Sequence, residues 1–343
     1  MKILVTGGAG FIGSCFVRLA LQNSALEIVN VDKLTYAGNL ENLASIADHP
    51  RYRFLKADLC DLDLLRRIFA DTTPAAVVHF AAESHVDRSI FAPTPVFDTN
   101  LRGTFHLLET MRSQRVDRFI HVSTDEVYGS LEAPLEADEN FPLRPSSPYS
   151  AAKAGSDLLA LAYHTTYKLP VIVTRASNNY GPCQFPEKLI PLMISNALED
   201  KPLPVYGDGM QVRDWLYVED HCRAILAILE KGRDGEIYNI GGNRLLPNKD
   251  VVDRILASTG KPSSLITYVT DRPGHDRRYA LSSEKLTRET GWSPQMDFER
   301  GLTATVDWYR ANAQWVQHVK SGEYQTYYAR NYENRSHELS GIL

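Results

Sequence analysis

Cysteine is scarce in this chain of 343 residues, and the four present (Cys15, Cys60, Cys183 and Cys222) share no metal or redox spacing. That argues against a disulfide framework or a cysteine zinc site and predicts reduced thiols. Long apolar runs are also missing, since none approaches the roughly 20 residues that span a bilayer. The chain runs straight into Ile3-Leu4-Val5, without a charged leader and cleavage site, so the expectation is a soluble, cytoplasmic protein with no membrane partner. There is no excess of positive charge: 37 Lys and Arg against 42 Asp and Glu give a net charge of -5, which offers no footprint for nucleic acid. None of the ten histidines has zinc spacing, so no metal is expected and His79 and His85 read as structural. The sequon Asn334-Arg335-Ser336, with no secretory leader before it, reads as chance. What remains is 43% hydrophobic and 23% charged, enough for a sizeable core and too ordered in composition for a disordered chain.

Short apolar runs alternate with helical stretches through the first half. Strands are expected at Ile3 to Thr6, Ile28 to Asp32, Tyr52 to Ala57, Ala75 to Phe80, Phe119 to Ser123 and Val171 to Thr174. They are continuously apolar, as strands covered on both faces are, and the alternation with helices predicts an α/β, Rossmann-like doubly wound parallel sheet. After Asn178 prolines and glycines multiply, yet Ile237 to Gly241 reads as another strand of the same sheet. The expected organisation is a dinucleotide-binding domain over residues 1–180, a smaller interleaved substrate lobe over 181–320, and a tail over 321–343. The tail carries Tyr324, Tyr327, Tyr328 and Tyr332 among charges, and reads either as a docking segment or as a frayed end.

Gly7-Gly8-Ala9-Gly10-Phe11-Ile12-Gly13 follows the first strand and opens a helix. Gly7 permits the tight turn, Gly10 lets the backbone approach a pyrophosphate at the helix N-terminus, and Gly13 allows close helix–strand packing. Asp32, at the end of the second strand, stands where a ribose diol is bound and would repel a 2′-phosphate. NAD is therefore the expected cofactor, with Lys33 a counter-argument. Asp58 reads either as an adenine contact or as the cap of the next helix. Phe80, Ala81, Ala82 and Ser84 suit close approach of a dinucleotide, and Thr99 joins them. Phe11, Ile12, Lys33, Leu34, Thr35 and Leu59 complete this expected set.

Ser123-Thr124-Asp125-Glu126 and Tyr149-Ser150-Ala151-Ala152-Lys153 carry the chemistry. A tyrosine and a lysine one helical turn apart can take a proton from an alcohol, the lysine lowering the phenol's pKa. Two adjacent carboxyls whose pKa values are driven apart can supply the base and the acid that expel water. The bland alternative places Asp125 and Glu126 on a solvated loop.

These residues resemble the extended short-chain dehydrogenase/reductase superfamily. The runs His79 to Ser89, Ser123 to Gly129, Ser177 to Pro182, Phe185 to Pro191, Arg213-Asp214-Trp215 and Asp271 to Asp276 are similar to those of the dTDP-glucose 4,6-dehydratases, from Lys2 to about Ser321. The resemblance implies oxidation of a sugar at C4 by NAD, with Tyr149 as base and Lys153 holding the nicotinamide ribose. Glu126 then removes the C5 proton while Asp125 protonates the departing 6-hydroxyl, Thr124 orients the ring, and the hydride returns to C6. It further implies nucleotide-sugar contacts from Ser84, Thr124, Asn178, Lys188, Leu189, Arg213, Asn248 and the run Asp271, Arg272, Pro273, Gly274 and His275. Asn179 would face the cofactor. Pro204, Val205 and Tyr206 would line the base pocket, with Tyr206 stacking. Arg213 and Arg272 suit a pyrophosphate, but each alone could equally be a surface ion pair. The resemblance also implies the substrate dTDP-glucose, a role in deoxysugar synthesis such as that of dTDP-rhamnose, and a homodimer paired through Leu101 to Ser113 and Ala151 to Tyr167. Competing readings are a UDP-sugar 4,6-dehydratase, a nucleotide-sugar 4-epimerase, which would not need the pair Asp125-Glu126, and an inactive NAD-binding scaffold.

Overall fold

The computed structural model describes residues 1–333 and 335–340. Its strands are β1 (Lys2–Thr6), β2 (Glu27–Asp32), β3 (Tyr52–Lys56), β4 (Ala76–His79), β5 (Arg118–Thr124), β6 (Val171–Ala176), β7 (Asn178–Tyr180), β8 (Leu203–Tyr206), β9 (Val212–Tyr217), β10 (Ile237–Ile240), β11 (Leu245–Pro247) and β12 (Ile266–Val269). Seven of them form a parallel sheet in the order β10-β6-β5-β4-β1-β2-β3. Side chains alternate across it. Ile3 and Val5 of β1 pack with Phe16, Ile120 and Ile225 on one face, and Leu4 packs with Phe69, Leu108 and Phe119 on the other. Both faces are buried under helices, which is why the strands read as unbroken apolar runs.

The chain order reverses between β1 and β4, so a crevice opens there above the strand C-termini. Strand β10 returns to this sheet beside β6. The intervening and following residues build two smaller sheets, β11-β9-β7 and β12-β8, over a third apolar cluster that includes Met193, Val205, Trp215, Ile255, Phe298 and Tyr309. This second body faces the crevice from the β6 side.

The segment after Ser321 is docked. Tyr324 donates its hydroxyl hydrogen bond to the Pro186 carbonyl at 3.1 Å, and the Tyr327 hydroxyl meets His85 Nε2 at 3.0 Å. The frayed-end alternative therefore falls for these residues; Asn334, which carries the sequon, lies outside the described residues. Among the described residues no helix is long and apolar enough to cross a membrane.

Candidate active site

The helix Phe11–Asn23 begins at Gly10 with no side-chain cap and no acidic residue in its first turn. Its leading N–H groups are thus left for an anion, which the helix dipole favours. Gly7 sits at φ +72°, and a Cβ on it would stand 2.5 Å from the Ala81 nitrogen. A Cβ on Gly13 would strike the Gly7 carbonyl oxygen. The tight turn and the close helix–strand packing therefore exclude side chains at Gly7 and Gly13. Asp32 closes β2, its two oxygens accepting from Ala9 N at 3.0 Å and Leu34 N at 2.8 Å. Burial lifts its carboxyl above the ordinary value, and those two backbone bonds oppose the lift.

Lys33 lies 3.6 Å from Asp58 Oδ2 and donates to Thr99 Oγ1 at 3.3 Å, so its charge already faces a carboxylate. Asp58 accepts from Cys60 N, whereas the helix Leu62–Thr72 is capped by Asp61, which accepts from Leu64 N at 2.9 Å. The cap reading of Asp58 is thereby corrected. His79 is sandwiched between the hydroxyls of Thr6 and Thr104, and His85 caps the helix Val86–Phe91. Both are structural, although His85 also touches the cleft.

Strand β5 delivers Thr124 to the sheet's C-terminal edge. The Thr124 hydroxyl accepts from Glu126 N and donates to Asp125 Oδ1, each at 3.2 Å. Asp125 is 3% exposed and its Oδ2 makes no hydrogen bond. Burial first, and the charge of Glu126 second, push its carboxyl well above the usual carboxylate range; Arg213 opposes. The solvated-loop alternative does not hold for Asp125, and its environment favours the neutral acid.

The helix Pro148–Tyr167 starts on a reciprocal cap between Ser147 and Ser150, with Pro148 in its first turn. Tyr149, Lys153 and Asp157 follow at four-residue spacing and share one face. Lys153 Nζ donates to the Val122 carbonyl at 2.8 Å. Burial brings its ammonium down to about 8, with Asp157 holding it up. Asp157 is itself buried and accepts from Arg175 Nε at 2.9 Å.

The Tyr149 phenol is pushed far above its ordinary value by burial and then by Glu126, with hydrogen bonding between its hydroxyl and Thr124 opposing. Without cofactor, Lys153 is not among the groups that chiefly set the phenol's value, its ammonium being bonded to the Val122 carbonyl.

The far end of the cleft is cationic. Lys188 Nζ donates to the Ser84 carbonyl at 2.6 Å. Arg213 is 4% exposed and spans the carbonyls of Val212 and Asp276. Arg272 stands 4.0 Å from Asp87 Oδ2, and its Nε is buried without a hydrogen bond, as is Asn248 Oδ1. Neither arginine is a surface ion pair. Glu126 faces Lys188, Arg213 and Arg272 together.

One cleft is lined by all but four of the expected residues. Leu34, Asp271, Pro273 and Gly274 are not in its wall. Leu34 gives only its N–H to Asp32, and Asp271 braces its loop by accepting from His275 Nδ1 at 2.6 Å and Arg272 N at 2.8 Å. Tyr206 is in the wall, but its ring is stacked on Tyr332, at 6.0 Å and 26°. Sequence reasoning gave no role to Asp87, Glu187, Tyr279 and Tyr332, which also line the cleft. Asp87 lies inside the run His79 to Ser89 and Tyr332 among the tail tyrosines, and no local pattern brings the two together. The glycine turn, the bare helix N-terminus and Asp32 fit a dinucleotide.

Residues 4–305 match the family described as GDP-mannose 4,6 dehydratase. The chain is 55% identical to a dTDP-glucose 4,6-dehydratase of Shigella flexneri, covering 98% of this chain and 100% of that one. Among solved structures it resembles the dTDP-glucose 4,6-dehydratase DesIV of Streptomyces venezuelae with NAD and dTDP bound, with a TM-score of 0.91, 50% identity, and coverage of 93% and 100%. The Bacillus anthracis enzyme of the same description, in complex with NAD, gives 0.88, 52%, and coverage of 93% and 99%.

Proposed function

From the premise that this chain belongs to the dTDP-glucose 4,6-dehydratase family, we propose that it converts dTDP-glucose to dTDP-4-keto-6-deoxyglucose and water. It is an NAD-dependent lyase. The observation that carries this reading is the convergence, in one cleft, of a dinucleotide turn, the pair Tyr149 and Lys153, and a buried, protonation-prone Asp125 beside Glu126. An epimerase has no use for the last two.

The glycine turn, Asp32 and Lys153 hold the cofactor, with Phe80 to Ser84 and Asn179 beside it. Held there, NAD would supply the acceptor for the C4 hydride, its later return to C6, and a positive charge that favours the Tyr149 phenolate. Tyr149 takes the proton of the 4-hydroxyl, and Thr124 holds the resulting 4-oxygen. The ketone acidifies C5, whose proton passes to Glu126. Asp125 gives its proton to the 6-oxygen as the C6–O bond breaks, and water leaves. Glu126 then restores a proton to C5. Lys188, Arg213, Asn248, Arg272 and His275 hold the diphosphate and its nucleoside, where guanidinium groups can each meet two oxygens.

The protein acts as a homodimer in the cytoplasm. Support for pairing is the exposure of the large apolar side chains Phe97, Phe105, Leu158 and Tyr167 on the helices Pro93–Phe97, Thr104–Ser113 and Pro148–Tyr167. Residues 1–180 are mainly the cofactor domain and 181–320 mainly the substrate lobe, with segments such as β10 returning to the large sheet.

The test is turnover of dTDP-glucose carrying deuterium at C4. Deuterium is expected in the new C6 methyl group, with no net reduced cofactor. Stoichiometric release of NADH would reject the internal return.

A further inference from the structure

One helical turn beyond Lys153 stands Asp157, which is 0% exposed. Its carboxylate is fixed from a distant strand. Oδ2 accepts from Arg175 Nε of β6 at 2.9 Å, and Arg175 is itself buried. Arg175 is anchored at its other end. Its Nη1 donates to the Tyr128 hydroxyl at 2.9 Å, its guanidinium carbon lies 4.9 Å from the centre of that ring, and Tyr128 donates in turn to Asn239 Oδ1 at 2.8 Å. Tyr128 closes the short turn that opens at Asp125. His121 Nε2, on β5, stands 3.3 Å from Asp157 Oδ1.

A buried ion pair is weak ground for stability, because taking two charges out of water offsets their attraction. What this one secures is a fixed negative charge one turn from Lys153. Burial would raise the Asp157 carboxyl, but His121, Arg175 and Lys153 around it carry it below its ordinary 3.8, so it is ionised at neutral pH. The other groups packed round the ammonium are uncharged there. Burial holds the imidazoles of His79 on β4 and His121 on β5 below their ordinary value, His121 at about 4, and Tyr149 on the same helix is a phenol pushed upward. Against the burial that lowers the ammonium, the opposing charge is that of Asp157.

We propose that Asp157 is a positioning residue for C4 oxidation, its carboxylate fixed by Arg175 so that Lys153 works as an ammonium. This rests on the reading above, in which Tyr149 and Lys153 serve that step. Without Asp157 the ammonium gives up its proton at lower pH, and the charge that should accompany the Tyr149 phenolate is lost with it.

The experiment uses the full chain with its cofactor and has two readouts. Reduction of the bound cofactor by dTDP-glucose is followed in stopped flow from pH 6 to 10, where loss of the Lys153 proton sets the alkaline limb. Asp157→Asn should move that limb to lower pH by about 1 to 3 units, the effect of an opposite charge at close range, with little change in KM. The double variant Asp157→Asn/Arg175→Met removes the pair together, leaves no lone buried charge, and should show the same shift. Arg175→Lys keeps a cation against Asp157 and should keep the limb near its wild-type pH. The second readout needs no turnover: Lys153→Met is made in the wild type and in the double variant, and melting temperatures are compared. An ammonium brought from 10.5 to about 8 by folding costs stability in full below about 8, and the cost is larger once Asp157 is gone. The gain from Lys153→Met should therefore be larger in the double variant at pH 6 to 7, and the excess should vanish as pH rises past about 8. A wild type that reduces no cofactor with dTDP-glucose overturns the proposed function and leaves Asp157 to be judged by the melting comparison. An alkaline limb unmoved by Asp157→Asn, or equal gains from Lys153→Met in the two backgrounds, overturns the proposal. So does a loss of rate that tracks melting temperature while the limb stays in place, since that marks a purely structural pair.

Discussion

Lys153 donates its ammonium hydrogen bond to the Val122 carbonyl at 2.8 Å, tying the helix that carries Tyr149 to the strand that ends in Thr124. A side chain at the chemistry thereby also sets the spacing of the two elements that bear the reacting groups. Beneath it, Asp157, Arg175, Tyr128 and Asn239 form a buried chain of polar contacts at 2.8 to 2.9 Å.

Lys153→Met should abolish C4 oxidation and yet stabilise the fold at neutral pH. Burial brings the ammonium from 10.5 to about 8, which makes the buried charge cost about 3 kcal/mol below that pH. A depressed lysine binds its proton less tightly folded than unfolded, so this cost is full below about 8 and fades as pH rises toward 10.5. Melting temperatures from pH 6 to 10 should show the variant's advantage shrinking over that upper range. An advantage that grows with pH would contradict the sign.

Asp125→Asn should stop water loss, with a stability change of the opposite pH trend. The raised carboxyl is neutral at low pH, where the amide gains nothing. As pH rises from the ordinary carboxylate value of 3.8 to the raised one, the unfolded wild type ionises while the folded carboxyl resists, so the wild type loses stability that the variant keeps. The gap in melting temperature should widen with pH, measured beside an assay for the 4-keto-6-deoxy product.

Glu126→Gln should block elimination by about 10²- to 10⁴-fold, the usual scale for losing a general base, while leaving part of C4 oxidation. Single-turnover absorbance of reduced cofactor separates the two steps. Unaltered turnover would remove Glu126 from the reaction.

Tyr149→Phe should slow the first hydride step on a similar scale, since the phenol is the proton acceptor for the 4-hydroxyl. Cofactor reduction at the wild-type rate in stopped flow would be contrary evidence.

Leu158→Glu, at a side chain 58% exposed, should leave the monomer folded but split the proposed dimer. Light scattering should then report half the wild-type mass. A wild type that is itself monomeric would refute the pairing.

The alternation of strands and helices is legible in the chain alone, because side chains buried on both faces of a parallel sheet must be continuously apolar. So are the glycine turn with Asp32, and the pairs Tyr149 with Lys153 and Asp125 with Glu126, since each depends on short spacing within one strand, turn or helix. Whatever depends on distant segments came from the packed fold. Asp87 meets Arg272 and Arg335 from far along the chain, and Tyr332 closes on Tyr206, contacts that no local pattern encodes. It also decided that Asp125 is buried and that the Lys153 ammonium turns to Val122, because burial and charge placement arise when separate elements pack and exclude water.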